Sequence, residues 1–153
     1  MIAAPPEIDD WTHLGEQLYS CSKLPAEAAK SLESSGFKSV LTVMQTSDSK
    51  FSMEAEESIK AQNLEYAHCP IKPGAVLHEA EVEAALLALG KNPDGPALIQ
   101  CQSGTRATAV GVIYLALKNK LNDAQLEELS NTSGLDALPP RDWVIKYIKT
   151  HRD

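Results

Sequence analysis

The sequence predicts an α/β fold: one domain with a mostly parallel sheet of four or five strands, flanked by helices. Two observations carry that reading. Short apolar runs of strand length alternate with longer stretches of helical periodicity, the pattern of successive βα units. The 153 residues, 43% of them hydrophobic, make a chain the size of one compact domain with a full core. No internal repeat, low-complexity tract or linker interrupts residues 1–153, so the whole chain is read as a single domain.

The elements follow in order. A first strand is expected at "EQLYSCS" (16–22), then a helix with Pro25 near its first turn and Gly36 just past its end. "FKSVLTVM" (37–44) reads as a buried strand, and the loop "QTSDSKFS" leads into a helix at "MEAEESIKAQN" (53–63). "LEYAHCPI" (64–71) is strand-like, with Pro70 and Pro73 at its exit. In "HEAEVEAALLALG" (78–90), Val82, Leu86 and Leu89 share one helical face and Gly90 is the stop; "NPDG" is a turn that hands over to the strand "PALIQ" (96–100). A helix starts near Ala107. Two more, around "DAQLEELS" and "PRDWVIKYIKTHR", are expected to pad the sheet.

Composition narrows the function classes. A formal net charge of −7 argues against a nucleic-acid binder or an anionic-membrane binder, because neither surface attracts such a chain. An anionic substrate, whether a small molecule or a phosphoprotein, must then be captured by a local field. The longest apolar run, "AVGVIYLAL", is too short to span a bilayer, and "MIAAPPEIDD" lacks the basic-then-apolar layout of a secretory signal. A soluble protein is expected. Cys21, Cys69 and Cys101 are an odd number without metal-ligand spacing, which argues against a disulfide framework or a zinc site. No metal or other cofactor is implied, and a reducing compartment, cytoplasmic or organellar, fits best.

The stretch that carries chemistry is "ALIQCQSGTRATA" (97–109). Its loop leaves the carboxyl end of a parallel strand and enters the amino end of a helix, where open α/β sheets place their ligands. Backbone N–H groups from Gln102, Ser103, Gly104, Thr105, Arg106 and Ala107 can turn inward on one centre, and the helix dipole adds to them. Gly104 permits the tight curvature, Arg106 offers two parallel donors to an oxyanion, and the same field favours the nucleophilic thiolate of Cys101. Taken singly, Cys101 reads as a buried strand-end cysteine and Arg106 as a surface ion pair; together, between strand and helix, they read as a functional loop.

"LYSCSKLPAEAAKSLESSGFKSVLTVM", "LEYAHCPIKPGA" and "ALIQCQSGTRATA" together resemble the beta-lactamase-hydrolase-like, phosphatase-like domain family, a branch with the fold of the cysteine-dependent dual-specificity phosphatases. The likeness covers about residues 16–120. It implies a central, mainly parallel sheet, a cysteinyl nucleophile at Cys101 that forms a phospho-enzyme, and an oxyanion-binding Arg106. The short C-x-x-G-x-R loop also occurs in rhodanese-like sulfurtransferases.

The chain departs from the dual-specificity pattern at several places. That pattern has five residues between cysteine and arginine, a histidine before the cysteine and Ser or Thr after the arginine. Here four residues separate Cys101 from Arg106, and Gln100 and Ala107 stand at the flanks. Losing one loop amide removes a charge-assisted bond worth about 1.5–3 kcal/mol, which Thr105 or Thr108 is placed to replace. The family also takes its general acid from an aspartate on the loop after the strand equivalent to "LEYAHCPI", where this chain has Lys72, Pro73 and Gly74. Asp48, His78 and His68 are the substitutes to test as proton donors, against the plainer reading of each as a solvated loop residue or a hydrogen-bonded strand histidine.

Three functions therefore stay open: a cysteine-dependent phosphatase, a sulfurtransferase that carries a persulfide on Cys101, and a phosphate-binding module without turnover. The Asp-x-Arg strand end and the Gly-His-Ile segment that precede rhodanese loops are absent. Trp11 and Trp143 read as packing anchors. Cys69 reads first as a core cysteine; the alternative is that its strand neighbours the Cys101 strand, which would put it within disulfide reach of an oxidised nucleophile, and Cys21 has a weaker version of the same case.

Overall fold

The protein is described by a computed structural model covering residues 11–91 and 95–152. The expected "NPDG" turn, Gly95 apart, and the N-terminal decapeptide lie outside the described residues. Five strands form one sheet: β1 (Thr12–Gly15), β2 (Leu18–Cys21), β3 (Ser39–Thr42), β4 (Glu65–His68) and β5 (Ala97–Gln100). Their order is β1-β2-β5-β3-β4, with β1 antiparallel to β2 and every other pairing parallel. Among the described residues, six α-helices accompany it: α1 (Ala26–Ala29), α2 (Met53–Lys60), α3 (Glu79–Gly90), α4 (Thr105–Lys118), α5 (Asp123–Thr132) and α6 (Arg141–His151), with a 3-10 turn at Leu135–Ala137.

Side-chain alternation along the strands builds two cores. On β5, Ala97 and Ile99 point with Leu41 and Val43 into the layer covered by α3, α4 and α6, while Leu98 points with Val40 and Tyr19 into the layer covered by α1 and α2. Leu98 and Ile99 are both completely buried, and each such side chain contributes about 1.5–3 kcal/mol. α4 is buried on nearly every side, from Arg106 to Ala116, so "ATAVGVIYLAL" is a core helix with no polar stripe. Gly111 lets it seat on the sheet, because a Cβ there would overlap Leu14 Cδ1. Among the described residues, no helix is long and apolar enough to cross a membrane.

Three expectations are corrected. The strand expected to begin at Glu16 begins at Leu18: Glu16 turns the chain at φ 48°, and the residues before it form β1, the unforeseen antiparallel edge strand. "THLG" has too little apolar alternation to announce a strand, and it is held by pairing with β2 across an irregularity between His13 and Gly15. The helix expected to run from Pro25 to Gly36 is a single turn capped by Pro25. Ser31, Ser34 and Ser35 aim their hydroxyls at the carbonyls of Ala28, Ser31 and Ser31 at 3.1, 3.0 and 2.7 Å, the local competition that pulls serine out of helix interiors. α4 begins at Thr105, two residues ahead of the expected Ala107, which places Arg106 in its first turn.

The tail helices do pad the sheet. α5 opens with a capping box between Asn122 and Gln125, and α6 packs Val144 and Ile148 against α4. Trp143 stacks on Tyr147 at 5.2 Å, and Trp11 meets Tyr19 at 4.9 Å and Phe37 at 5.6 Å. Both tryptophans are packing anchors.

Candidate active site

Cys101 is the first residue beyond β5, the central strand. The ladder continues past the strand ends: Cys101 N–H donates to Cys21 O at 3.3 Å, and Val43 N–H to Gln100 O at 2.9 Å. The cysteine is thus tied to both neighbouring strands. Gly104, at φ 87° in the left-handed region, closes the loop and caps α4. That turn directs two backbone donors at the sulfur: Gly104 N–H at 3.1 Å and Ala107 N–H at 3.4 Å from Cys101 Sγ. Cys101 itself is fully buried beneath the loop.

The side chain of Arg106 is only 6% exposed and reaches across to two other segments. Its Nη1 donates to Ile71 O at 2.8 Å and lies 2.8 Å from Asp48 Oδ2 in an ion pair. Ile71 is brought there because the β3–β4 pairing runs on, with Cys69 N–H on Thr42 O and Ile71 N–H on Val43 O, both at 2.9 Å. Asp48 is fixed by a reciprocal turn: Gln45 N–H donates to Oδ2 at 2.8 Å, and Asp48 N–H to Gln45 O at 3.0 Å. With Asp48 10% exposed, this is a largely buried ion pair, and removing one partner alone leaves an uncompensated charge at a cost of about 3–5 kcal/mol.

A pocket of about 270 Å³ opens over these groups. Asp48 and Arg106 are the charged residues lining it, and Gln102, Ser103 and Thr105 bring the loop. Pro73, Gly74 and Ala75 form the opposite wall, with Pro139 from the tail. Gln102 Oε1 accepts Lys50 N–H at 3.4 Å, and the Ser103 and Thr105 hydroxyls lie 3.3 Å apart.

A search of protein-family models matches residues 16–118 to the family described as beta-lactamase hydrolase-like protein, phosphatase-like domain. The chain belongs to this family. A beta-lactamase hydrolase-like protein of Agrobacterium fabrum is 24% identical over 141 residues, covering 77% of this chain and 32% of that protein. The chain therefore spans about a third of the length of that curated relative.

Among solved structures, a DUF442 protein of Shewanella putrefaciens CN-32 superposes with TM-score 0.75 at 19% identity, covering 94% of this chain and 93% of the other. Kinase associated phosphatase gives 0.72 at 17%, covering 94% and 95%. The core catalytic domain of a PP-IP phosphatase from S. cerevisiae gives 0.66 at 18%, covering 97% and 87%. At these identities the likeness is one of fold, and the fold is that of the cysteine phosphatases.

Within this phosphatase-like domain, the structure gathers Cys101, Gln102, Ser103, Gly104, Thr105, Arg106, Ala107 and Asp48 into one region. It places the two histidines elsewhere. His68 lies on the α2 side of the sheet, with Nε2 2.6 Å from Met44 O, Nδ1 3.5 Å from Glu56 Oε2 and its ring stacked on Phe51. His78 is exposed at the N-cap of α3 and does not line the pocket. Gln100, where the dual-specificity pattern has histidine, accepts the Thr42 hydroxyl at 3.1 Å on the face of the sheet away from Cys101. Thr108 is spent on Ser20, 3.5 Å away, so Thr105 is the threonine left at the pocket.

The cysteine pairing is also corrected. β3 lies between β4 and β5, which separates the Cys69 and Cys101 backbones by two strand spacings, about 9–10 Å, beyond disulfide reach. Cys69 Sγ instead faces Ala84 O at 3.8 Å, and burial pushes its thiol up against a weaker opposing pull from Lys91. Cys21 pairs in register with Gln100 and enters the opposite core from Cys101. Sequence reasoning missed the Ile71 carbonyl and Pro139 as site groups. A carbonyl carries no residue signature, and Pro139 arrives only through the packing of the tail. Away from the pocket, Glu79, Glu83 and His151 bring ligand-type atoms within 4.8 Å at the surface, where His151 Nε2 lies 3.0 Å from Glu79 Oε1.

Proposed function

We propose that the protein is a cysteine-dependent phosphatase that hydrolyses phosphomonoesters through a phospho-enzyme on Cys101. The observation that supports it is the convergence of Gly104 N–H and Ala107 N–H on Cys101 Sγ, with Arg106 beside Ala107 in the first turn of α4. The sulfur they face is the atom that would attack phosphorus. Both the Ile71 carbonyl and the Asp48 carboxylate engage Nη1, so the Nε–Nη2 edge remains as the fork for two phosphoryl oxygens.

In this reading Sγ attacks phosphorus, an S–P bond forms, and the ester P–O bond breaks as its electron pair leaves with the alcohol oxygen. Water then attacks the phosphocysteine, releasing inorganic phosphate and restoring the thiolate. Arg106 and the loop amides carry the charge on the transferring group in both steps. The substrate is anionic, a small molecule or a phosphorylated side chain.

The four-residue loop and the Lys72-Pro73-Gly74 segment favour a second reading, sulfur transfer. There Sγ attacks the sulfane sulfur of thiosulfate, the S–S bond breaks and sulfite leaves without needing a proton. Cyanide then takes the outer sulfur as thiocyanate and returns the thiolate.

One experiment separates these readings from a binding module. Wild type and Cys101→Ser are assayed with an activated aryl phosphate and with thiosulfate plus cyanide, and the quenched enzyme is weighed by mass spectrometry. The phosphatase reading expects aryl phosphate turnover and a phosphoryl adduct on Cys101, both lost in the serine variant. A persulfide with thiocyanate production, and no ester hydrolysis above the variant's background, assigns sulfur transfer. Binding without either turnover leaves a phosphate-binding module.

A further inference from the structure

We propose that Asp48 acts as the positioning residue of Arg106, and does not donate the leaving-group proton; this rests on the oxyanion role given to Arg106 above. Three observations lead there. Asp48 Oδ2 accepts a hydrogen bond from Gln45 N–H at 2.8 Å and forms an ion pair with Arg106 Nη1, also at 2.8 Å. Both partners are donors, so that oxygen is engaged as an acceptor and not presented as an acid. The Gln45–Asp48 turn is anchored at the end of β3, next to β5, so the carboxylate's position is set by the sheet. The Ile71 carbonyl accepts a hydrogen bond from the same Nη1, which fixes the guanidinium from two independent segments.

The consequence is geometric. With Nη1 held, the guanidinium cannot rotate, and its Nε–Nη2 edge is the pair of parallel donors left for an oxyanion. Without Asp48 the long side chain would regain rotamers, and misplacement of a transition-state contact by about 1 Å costs on the order of 10²-fold in rate. Asp48 also cancels the one cationic side chain lining the pocket, so a dianionic ligand meets a site of no net side-chain charge.

The test compares Asp48→Ala with Asp48→Asn, which keeps a carbonyl oxygen for Nη1 but can serve neither as an acid nor as a counter-ion. Two measurements are made on each, after melting curves establish that the variants fold. The first is the ¹⁵N resonance of Arg106 Nε–H. We expect a resolved, slowly exchanging signal in wild type and Asp48→Asn, and loss of that signal in Asp48→Ala. The second is turnover of an activated aryl phosphate and of an alkyl phosphate. We expect Asp48→Ala to lose roughly 10²-fold on both esters alike, and Asp48→Asn to recover most of that loss, again equally on both.

The proposal is overturned if Asp48→Ala keeps the Arg106 signal, or if both variants lose alkyl ester turnover while aryl ester turnover is spared, which is the signature of a general acid. If the alanine variant does not fold, Asp48→Ser, whose hydroxyl is too short to reach Nη1, carries the same measurements. If wild type hydrolyses neither ester, the phosphatase reading fails, and the resonance still decides whether Asp48 holds Arg106.

Discussion

Cys69 and Cys101 occupy equivalent places in the fold, each the first residue beyond a parallel strand, and the loops they open face each other across one pocket. The chemistry of the two loops is unlike. The loop after β5 returns straight into α4, so its amides and Arg106 point back at the sulfur. The loop after β4 runs ten residues to α3 through Lys72, Pro73, Gly74, Ala75 and Val76, all exposed, and contributes walls without a carboxyl group. In the dual-specificity pattern those two loops supply nucleophile and acid respectively. Here one is intact in outline and the other is silent, and the difference separates binding and attack from protonation of the leaving group.

The comparison breaks most severely at Cys101. If the β5 loop carries the chemistry, Cys101→Ser should reduce turnover to background while leaving the fold, because a hydroxyl lacks the thiolate's nucleophilicity. Steady-state rates on an aryl phosphate check this, with thermal melts as the control. Retained turnover would move the reaction out of this loop altogether.

Next in size is Arg106→Lys. A lysine keeps the charge but has neither the fork nor the reach to satisfy Ile71 and Asp48 together. We expect a loss of roughly 10²–10³-fold in kcat, the size of one transition-state contact at about 2.7–4 kcal/mol. Near-native activity in this variant would reduce Arg106 to a structural ion pair.

The silent loop sharpens the comparison in the opposite direction. Ala75 lines the pocket on the β4 side. Ala75→Asp should restore a proton donor there, raising kcat on an alkyl phosphate by about tenfold or more, short of the 10²–10⁴ of an evolved acid, with little gain on an activated aryl ester. Equal effects on both esters would mean that protonation is not what the β4 loop lacks.

Much of this arrangement was legible from residue order. The βα alternation, the strand ending at Gln100 and the C-x-x-G-x-R loop each follow from local pattern, because a parallel strand, a left-handed glycine and a helix start leave marks within a few residues. What was not legible came from contacts between distant segments. Nothing in "QTSDSKFS" says that Asp48 meets Arg106, since that pairing depends on β3 lying beside β5. The same strand order removes Cys69 from reach of Cys101, a point that adjacency in sequence pattern had suggested otherwise. β1 was missed because "THLG" is a strand only by virtue of its partner, and α1 was overestimated because Pro25 and Gly36 were read as the helix ends and serine back-bonding between them was not.

The smallest expected effect concerns Cys69 and its protonation. Burial is the leading cause pushing its thiol up from the ordinary range, and Lys91 only partly offsets it. The thiolate therefore appears at higher pH than in an unfolded chain, and alkylation of Cys69 by iodoacetamide should be slow at neutral pH and climb only above the ordinary thiol range near pH 8.5. The stability consequence has a definite sign. The folded protein holds this proton more tightly than the unfolded one, so the associated stabilisation is fully present below the unfolded value and is lost as pH rises through the folded one. Cys101 has two amides on its sulfur where Cys69 has a carbonyl and apolar neighbours. Peptide mapping after brief alkylation at neutral pH should accordingly show little label on Cys69, and a Cys69→Ser variant should flatten the alkaline fall in stability. Rapid labelling of Cys69 at neutral pH would erase the contrast between the loops that the groups around each sulfur imply.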